Sequence, residues 1–323
     1  MTELFDSFQR HINYLRISVT DRCNLRCIYC MPLKGIPLVA HSEILSYEEI
    51  STVAQVGAEL GISRIRLTGG EPLVRMKLPR LIQMLSQIKG IDEVSLTTNG
   101  TLLKGYALKL KQAGLSRVNI SLDTLKADRF RRITRLGELG DVLHGIEAAG
   151  DVGLRPIKIN MLVMRGINDD EVLDFANMTY KEGWHVRFIE IMPFTDVAQF
   201  VPSSEIRRRI VSLGKLEPSL RVIGNGPAAC YRLPGAEGTV GFISPITECF
   251  CSSCNRMRLS ADGRLFTCLL SDSAIDLRGT LRQNFSLQEL KRLILKAVAS
   301  KPERHHLAEG IAPVKQNMSQ IGG

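Results

Sequence analysis

The chain has 323 residues, 44% hydrophobic and 23% charged, the proportions of an ordinary globular protein, which excludes a disordered chain, a collagen-like repeat or a low-complexity scaffold. That length holds one large domain, or one domain plus a smaller one. Forty-two Lys and Arg against 33 Asp and Glu leave a net charge of +9, an excess that suits an anionic partner: nucleic acid, a membrane surface or a polyanionic small molecule.

Over the first 200 residues two periods alternate. β-rich runs at 15–19, 64–67, 94–98, 118–122, 157–163 and 186–191 predict strands. Helical spacing predicts helices at 47–60, 78–88, 102–114 and 171–182. This alternation implies an α/β fold with parallel strands and crossover helices. Six units are too few for a closed eight-stranded barrel, so the expectation is a partial (βα)6 TIM-like barrel over 1–200. The motifs follow strands, where such folds place their chemistry. After Pro202 the pattern breaks. A Gly- and Pro-rich stretch at 224–245 predicts turns and an irregular connection, and 287–299 predicts a last helix. A smaller C-terminal domain is placed at 201–323, ending in a mobile tail from 309.

No apolar run approaches the roughly 20 residues needed to cross a bilayer. The first sixteen residues, MTELFDSFQRHINYLR, lack the apolar core of a secretory signal. The expected compartment is the cytoplasm, with no membrane partner. The longest basic run, RRR at 207–209, is too short for a disordered nucleic-acid-binding arm.

Cys23, Cys27 and Cys30 follow the first predicted strand in DRCNLRCIYCMP. Three thiolates this close can hold three corners of a cubane iron–sulfur cluster and leave one iron open to an exogenous ligand. A closed zinc site would need a fourth local ligand, and the nearest histidine, His41, lies eleven residues on. The CxxxCxxC spacing, with Tyr29 before the last cysteine, resembles the signature of radical S-adenosylmethionine enzymes. Gly69-Gly70-Glu71-Pro72, one strand later, resembles that superfamily's GGEP motif. The resemblance implies a 4Fe–4S cluster that chelates S-adenosylmethionine, one-electron cleavage to a 5′-deoxyadenosyl radical, and hydrogen abstraction from substrate. It also implies S-adenosylmethionine contacts for Tyr29, for Gly70 at the methionine amino group, and for Ser121 and Met192 near ribose and adenine.

The second cysteine group is Cys251-x2-Cys254-x13-Cys268. Adding Cys249 gives four thiolates, a zinc knuckle suited to nucleic acid. Three ligands alone suit a second cubane with an open iron. The segment CNRMR, then Asp262-Gly263 and Cys268 before Leu269, resembles the C-terminal part of the GTP-acting cyclases of molybdenum cofactor biosynthesis. That likeness covers essentially the whole chain, through CNLRCIYCMP, LTGGEP, TTNG and the final Gly322-Gly323. It leaves Cys230 and Cys249 as non-ligating thiols. A peptide-modifying radical enzyme with an auxiliary cluster is the nearest other enzyme, and no leader-recognition segment is visible.

The resemblance implies GTP as substrate, cyclised between ribose C3′ and guanine C8 and positioned by the second cluster. Its implied GTP residues are Arg16, Arg66, Thr97, Lys158, Arg256, Met257 and Arg258, with Arg64 assisting. The residues support this independently. No GxxxxGK phosphate loop exists, so side chains must hold phosphate, and arginine's planar fork suits phosphate oxygens. Arg16 and Arg66 interrupt apolar strands, which costs several kcal/mol unless each is paired or lines a polar cavity. The cofactors carry the chemistry. Hence no acid–base triad is expected, with Arg256, Arg258, Gly322 and Gly323 in supporting roles. The histidines (11, 41, 144, 185, 305 and 306) are read as ordinary. Implied partners are an electron donor such as flavodoxin or ferredoxin, the next-step cyclic pyranopterin monophosphate synthase, and a second copy in a homodimer. Nucleic acid is not among them.

Overall fold

The computed structural model describes residues 3–192, 199–219, 226–283, 286–309, 320 and 322. Six strands come from the first 200 residues: β1 (Tyr14–Ser18), β2 (Arg64–Thr68), β3 (Glu93–Thr98), β4 (Arg117–Ser121), β5 (Lys158–Val163) and β6 (His185–Glu190). They are joined by α1 (Tyr47–Glu59), α2 (Leu78–Ser86), α3 (Leu103–Gln112), α4 (Ala127–Thr134), α5 (Leu139–Asp151) and α6 (Val172–Lys181). Beyond them lie α7 (Ser203–Ile210), β7 (Glu217–Pro218), β8 (Ala229–Arg232), β9 (Thr239–Ile243), β10 (Arg256–Leu259), β11 (Arg264–Phe266), β12 (Ala274–Asp276), α8 (Arg278–Arg282) and α9 (Leu287–Ala299).

Among the described residues all strands share one sheet, ordered β12-β11-β10-β1-β2-β3-β4-β5-β6-β9-β8-β7. The run from β10 to β9 is parallel throughout, and antiparallel hairpin strands finish each edge. The expected six-stranded partial barrel is present. The C-terminal region extends the same sheet at both ends, with β10 beside β1 and β9 beside β6. The stretch expected to be irregular at 224–245 therefore contains a core strand. In β9, Val240 and Phe242 are buried, and Phe242 stacks on Phe188 of β6.

Alternation along each strand sorts the side chains. Leu15 and Ile17 of β1, Ile65 and Leu67 of β2, and Ile159 and Met161 of β5 join the hydrophobic core. The intervening Tyr14, Arg16, Arg66 and Asn160 line the inner cavity. Helix α1 starts in a capping box, with Ser46 Oγ accepting from Glu49 N and the Glu49 carboxylate accepting from Ser46 N. Helices α4 and α5, between β4 and β5, lack a strong sequence signal. Helix α5 is interrupted by Gly140, Gly145 and Gly150, and Gly145 is required there. A Cβ on it would lie 2.5 Å from Gly100 O, where α5 packs on α3. No helix among the described residues is long and apolar enough to cross a membrane.

Candidate functional site

The inward faces of the strands enclose a cavity of about 240 Å³. Five arginines line its wall. Arg66, Arg187 and Arg258 are buried, with Arg16 and Arg256 beside them, and buried Lys158 lies on the same face of β5 as the cavity-lining Asn160. The register explains the crowding. Arg16 sits opposite Arg66 on one side and Arg258 on the other. Burial, then Arg258, pushes the Arg16 guanidinium well below its ordinary range. Burial, then Arg187, pushes Lys158 down to about 6. Arg187 and Arg258 fall to about 10, each through burial first and a neighbouring arginine second. Arg117 beneath them is neutralised by Glu93 at 2.5 Å. Tyr14 Oη, Thr97 Oγ1 and Asn160 Oδ1 line the same space, each buried without a hydrogen-bond partner. Repelling cations and orphaned polar atoms together fit a polyanionic, polar ligand.

At the carboxyl ends of β1 to β3 lies the first thiol loop. Cys23, Cys27 and Cys30 are half-buried. Cys30 N and Met31 N both donate to Cys27 O, at 2.9 and 3.1 Å, so the last two cysteines share one tight turn. The loop is pinned to the end of α4 by Arg26 N to Thr134 O (3.0 Å) and Ile28 N to Ile133 O (2.9 Å). Burial, then Asp123 and the two other thiols, pushes Cys27 well above its ordinary range. Three soft donors this close become thiolates together only around cationic metal, so the donor set fits an iron–sulfur cluster.

The GGEP turn braces this loop. A Cβ on Gly70 would lie 2.4 Å from Arg22 O, and one on Gly69 2.5 Å from Thr20 O. Both glycines are thus required by the backbone that leads into the cysteines. Glu71 is buried and accepts from Leu73 N, Thr98 Oγ1 and Asn99 N, while burial raises it to about 7. Asn99 Nδ2 in turn reaches Cys23 Sγ at 3.9 Å. Tyr29 Oη donates to Asp123 Oδ2 at 2.7 Å, and both line the cavity with Ser121 and Met192.

The second thiol group lines the same cavity. Cys251 begins a short turn, Cys254 leads into β10, Cys268 follows β11, and all three line the wall. Burial opposes ionisation of Cys254, but Arg256 and Lys301 outweigh it and hold this thiol at about 7. Three thiols beside fixed cations fit a second cluster. Cys249 is exposed, yet its sulfur, Cys251 Sγ and a His305 ring nitrogen lie within 4.8 Å of one another. His305 was expected to be ordinary; chain folding brings it to the cavity wall, and its Nε2 meets Pro245 O at 3.0 Å.

Of the predicted phosphate-site residues, Arg16, Arg66, Thr97, Arg256 and Arg258 meet at the cavity. Met257 does not. It pairs with Leu15 in β10–β1 register, is fully buried in the core, and turns its side chain away from the lumen. Arg64, at the outer end of β2, does not line the cavity. Gly322 reaches the site: Arg258 Nη1 donates to Gly322 O at 2.8 Å. Gly323 and most of the tail lie outside the described residues. Sequence reasoning missed Arg187, whose position inside HVRFIE, a charge within an apolar strand, carried the same signal as Arg16 and Arg66.

The chain matches the Radical SAM superfamily over residues 17–179 and Molybdenum Cofactor Synthesis C over residues 184–307. It is 53% identical to a GTP 3′,8-cyclase of Moorella thermoacetica over 322 residues, 98% of this chain and 99% of that protein. It is 51% identical to a GTP 3′,8-cyclase of Pelotomaculum thermopropionicum, again over 98% of this chain and 99% of the relative. Streptococcus suis SuiB shares the fold, with a TM-score of 0.60 at 13% identity over 91% of this chain and 68% of that one. An arginine-lined cavity that meets the second thiol triad and Tyr29 of the first thiol loop, together with full-length identity near one half, places the chain in the GTP 3′,8-cyclase family of radical S-adenosylmethionine enzymes.

Proposed function

We propose that this enzyme converts GTP to (8S)-3′,8-cyclo-7,8-dihydroguanosine 5′-triphosphate, an early step of molybdenum cofactor biosynthesis. The observation that carries this reading is the set of three buried arginines, Arg66, Arg187 and Arg258, in one cavity lined by Cys251, Cys254 and Cys268 and by Tyr29 of the first thiol loop, with buried Lys158 on the neighbouring strand face. Cys23, Cys27 and Cys30 would hold one 4Fe–4S cluster, and Cys251, Cys254 and Cys268 a second. When bound, the first supplies the electron that cleaves S-adenosylmethionine. Tyr29, Ser121, Met192 and the Gly70 turn border the place for that molecule. Arg16, Arg66, Lys158 and Arg187 receive the triphosphate, Thr97 Oγ1 offers an unused hydroxyl, and the guanine end faces Cys251, Cys254 and Cys268. Holding C3′ and C8 of one nucleotide together is a positioning task, for which rigid strands are suited. The reading implies a low-potential one-electron carrier such as flavodoxin or ferredoxin, and a cyclic pyranopterin monophosphate synthase to take the product. It also places the enzyme in the cytoplasm. Anaerobic incubation with GTP, S-adenosylmethionine and dithionite should give 5′-deoxyadenosine and cyclic product in equal amounts. About eight iron and no zinc per chain are expected.

Cys254→Ser should remove about half of that iron and stop cyclisation while some S-adenosylmethionine cleavage survives. Cys249→Ser should keep the full iron content. If it strips metal instead, the four-thiolate zinc reading gains.

A pH dependence follows from Lys158. Its ammonium is pushed down to about 6 by burial and Arg187. A bound triphosphate restores the charge, so binding takes up a proton. Affinity for GTP should therefore fall as pH rises from about 7 to about 8.5, by at most about tenfold per pH unit. Dissociation constants for the wild type and Lys158→Met test this: the slope should flatten in the variant, and a flat wild-type profile would contradict it.

A further inference from the structure

Beside the second thiol triad lies a buried cation that does not line the cavity and that the proposed reaction does not use. The chain leaves α9 and passes under the triad at 301–303. Arg10 fixes this segment. Its Nη1 donates to Cys251 O and Glu303 O, both at 2.8 Å, and Nη2 to Pro302 O at 2.7 Å. Asp6 Oδ2 holds the same guanidinium through Nε at 2.6 Å. One side chain near the N-terminus thereby ties the cysteine loop to the segment that follows α9.

The result is the placement of Lys301. This residue is 3% exposed. Its Nζ lies 3.0 Å from Arg256 O, two residues after Cys254, and 2.5 Å from Thr267 O, next to Cys268, and both thiols act on its charge. Two neutral carbonyls accept from it, and among the described residues it forms no ion pair with a carboxylate. A buried ammonium needs an opposite charge nearby. The sulfurs of Cys254 and Cys268, as metal-bound thiolates, are the groups in place to supply it. Arg256 also flanks Cys254, but from the cavity side, where substrate competes for it. Lys301 does not line the cavity.

We propose that Lys301 is a positioning residue that sets the reduction potential of the second cluster. Its fixed charge favours the reduced state, which carries one more negative charge, and so raises the potential. Arg10 and Asp6 act through it by holding 301–303 in place. This inference rests on the reading that Cys251, Cys254 and Cys268 hold an iron–sulfur cluster. Wild-type enzyme with only about four iron per chain would count against that reading, whatever Lys301 does.

The test is an EPR-monitored redox titration of the anaerobically reconstituted enzyme, comparing wild type with Lys301→Met, Lys301→Gln and Lys301→Arg. With full iron content, Lys301→Met and Lys301→Gln should shift the second cluster to a more negative midpoint. Lys301→Arg should restore most of the wild-type value, and the first cluster should not move in any variant. An unshifted midpoint in an iron-replete Lys301→Gln overturns the proposal. So does loss of half the iron from both Met and Gln variants, which would make the side chain a structural brace only.

Discussion

Replacing Cys27 with Ser is expected to abolish 5′-deoxyadenosine formation, in the presence or absence of GTP, without unfolding the chain. The backbone argument for an intact fold is direct. Cys27 acts through its carbonyl, which accepts from Cys30 N and Met31 N, and serine keeps that carbonyl. The neighbouring anchors, Arg26 N to Thr134 O and Ile28 N to Ile133 O, are also main-chain bonds. The sulfur alone changes. A serine hydroxyl is a hard, weakly acidic donor where iron–sulfur chemistry requires a soft thiolate. The remaining Cys23 and Cys30 supply two of three corners, and nearby Tyr29 Oη is already committed to Asp123. About half the iron should be lost, from the first loop only, leaving the second triad loaded. Chromatographic detection of 5′-deoxyadenosine after anaerobic reduction with dithionite reads the outcome. Wild-type cleavage in Cys27→Ser would overturn the assignment of the first loop.

The parallel sheet and both thiol groups were legible because each rests on a short-range signal. Six apolar runs fall at strand spacing, and each cysteine triad is placed by a few residues of spacing. The same logic found Arg16 and Arg66, since a cation inside LRISV or IRL contradicts its own strand. It would have found Arg187 in HVRFIE had that strand been read with the same rule. What stayed hidden depends on long-range pairing. Nothing local in TVGFI shows that it joins β6 in parallel, and nothing in RMRL shows that it flanks β1. Met257 shows the cost of carrying a motif across without its pleat. It lies between two cavity-facing arginines and therefore faces the other way. His305 and Lys301 were illegible for a related reason. Their surroundings are assembled from residues 10, 245, 254, 256 and 267, which only the folded chain brings together.

Deleting Gly322 and Gly323 should lower cyclic product by about a hundredfold, the scale on which misplaced substrate slows an enzyme, while the iron content and S-adenosylmethionine cleavage persist. Gly322 is buried at the carboxyl ends of β1 and β2, and its carbonyl accepts from Arg258 Nη1 at 2.8 Å. It has φ +72, and a Cβ there would stand 2.3 Å from Thr68 Cγ2 and 3.5 Å from Ser18 Cβ. Both the backbone conformation and the space demand glycine. Arg258 is one of several mutually repelling cations, so a tail carbonyl on its guanidinium offsets part of that repulsion and fixes its direction toward substrate. Two further variants separate a positioned tail from a loose one. Gly322→Val, which keeps chain length but cannot enter beside Thr68, should behave like the deletion. A synthetic peptide of the last residues, added to the truncated enzyme, should restore part of the turnover in trans. The measurement is the ratio of cyclic product to 5′-deoxyadenosine, which falls when cleavage continues without cyclisation. A ratio that stays at the wild-type value in both the deletion and Gly322→Val would show that the Arg258–Gly322 contact plays no part in holding GTP.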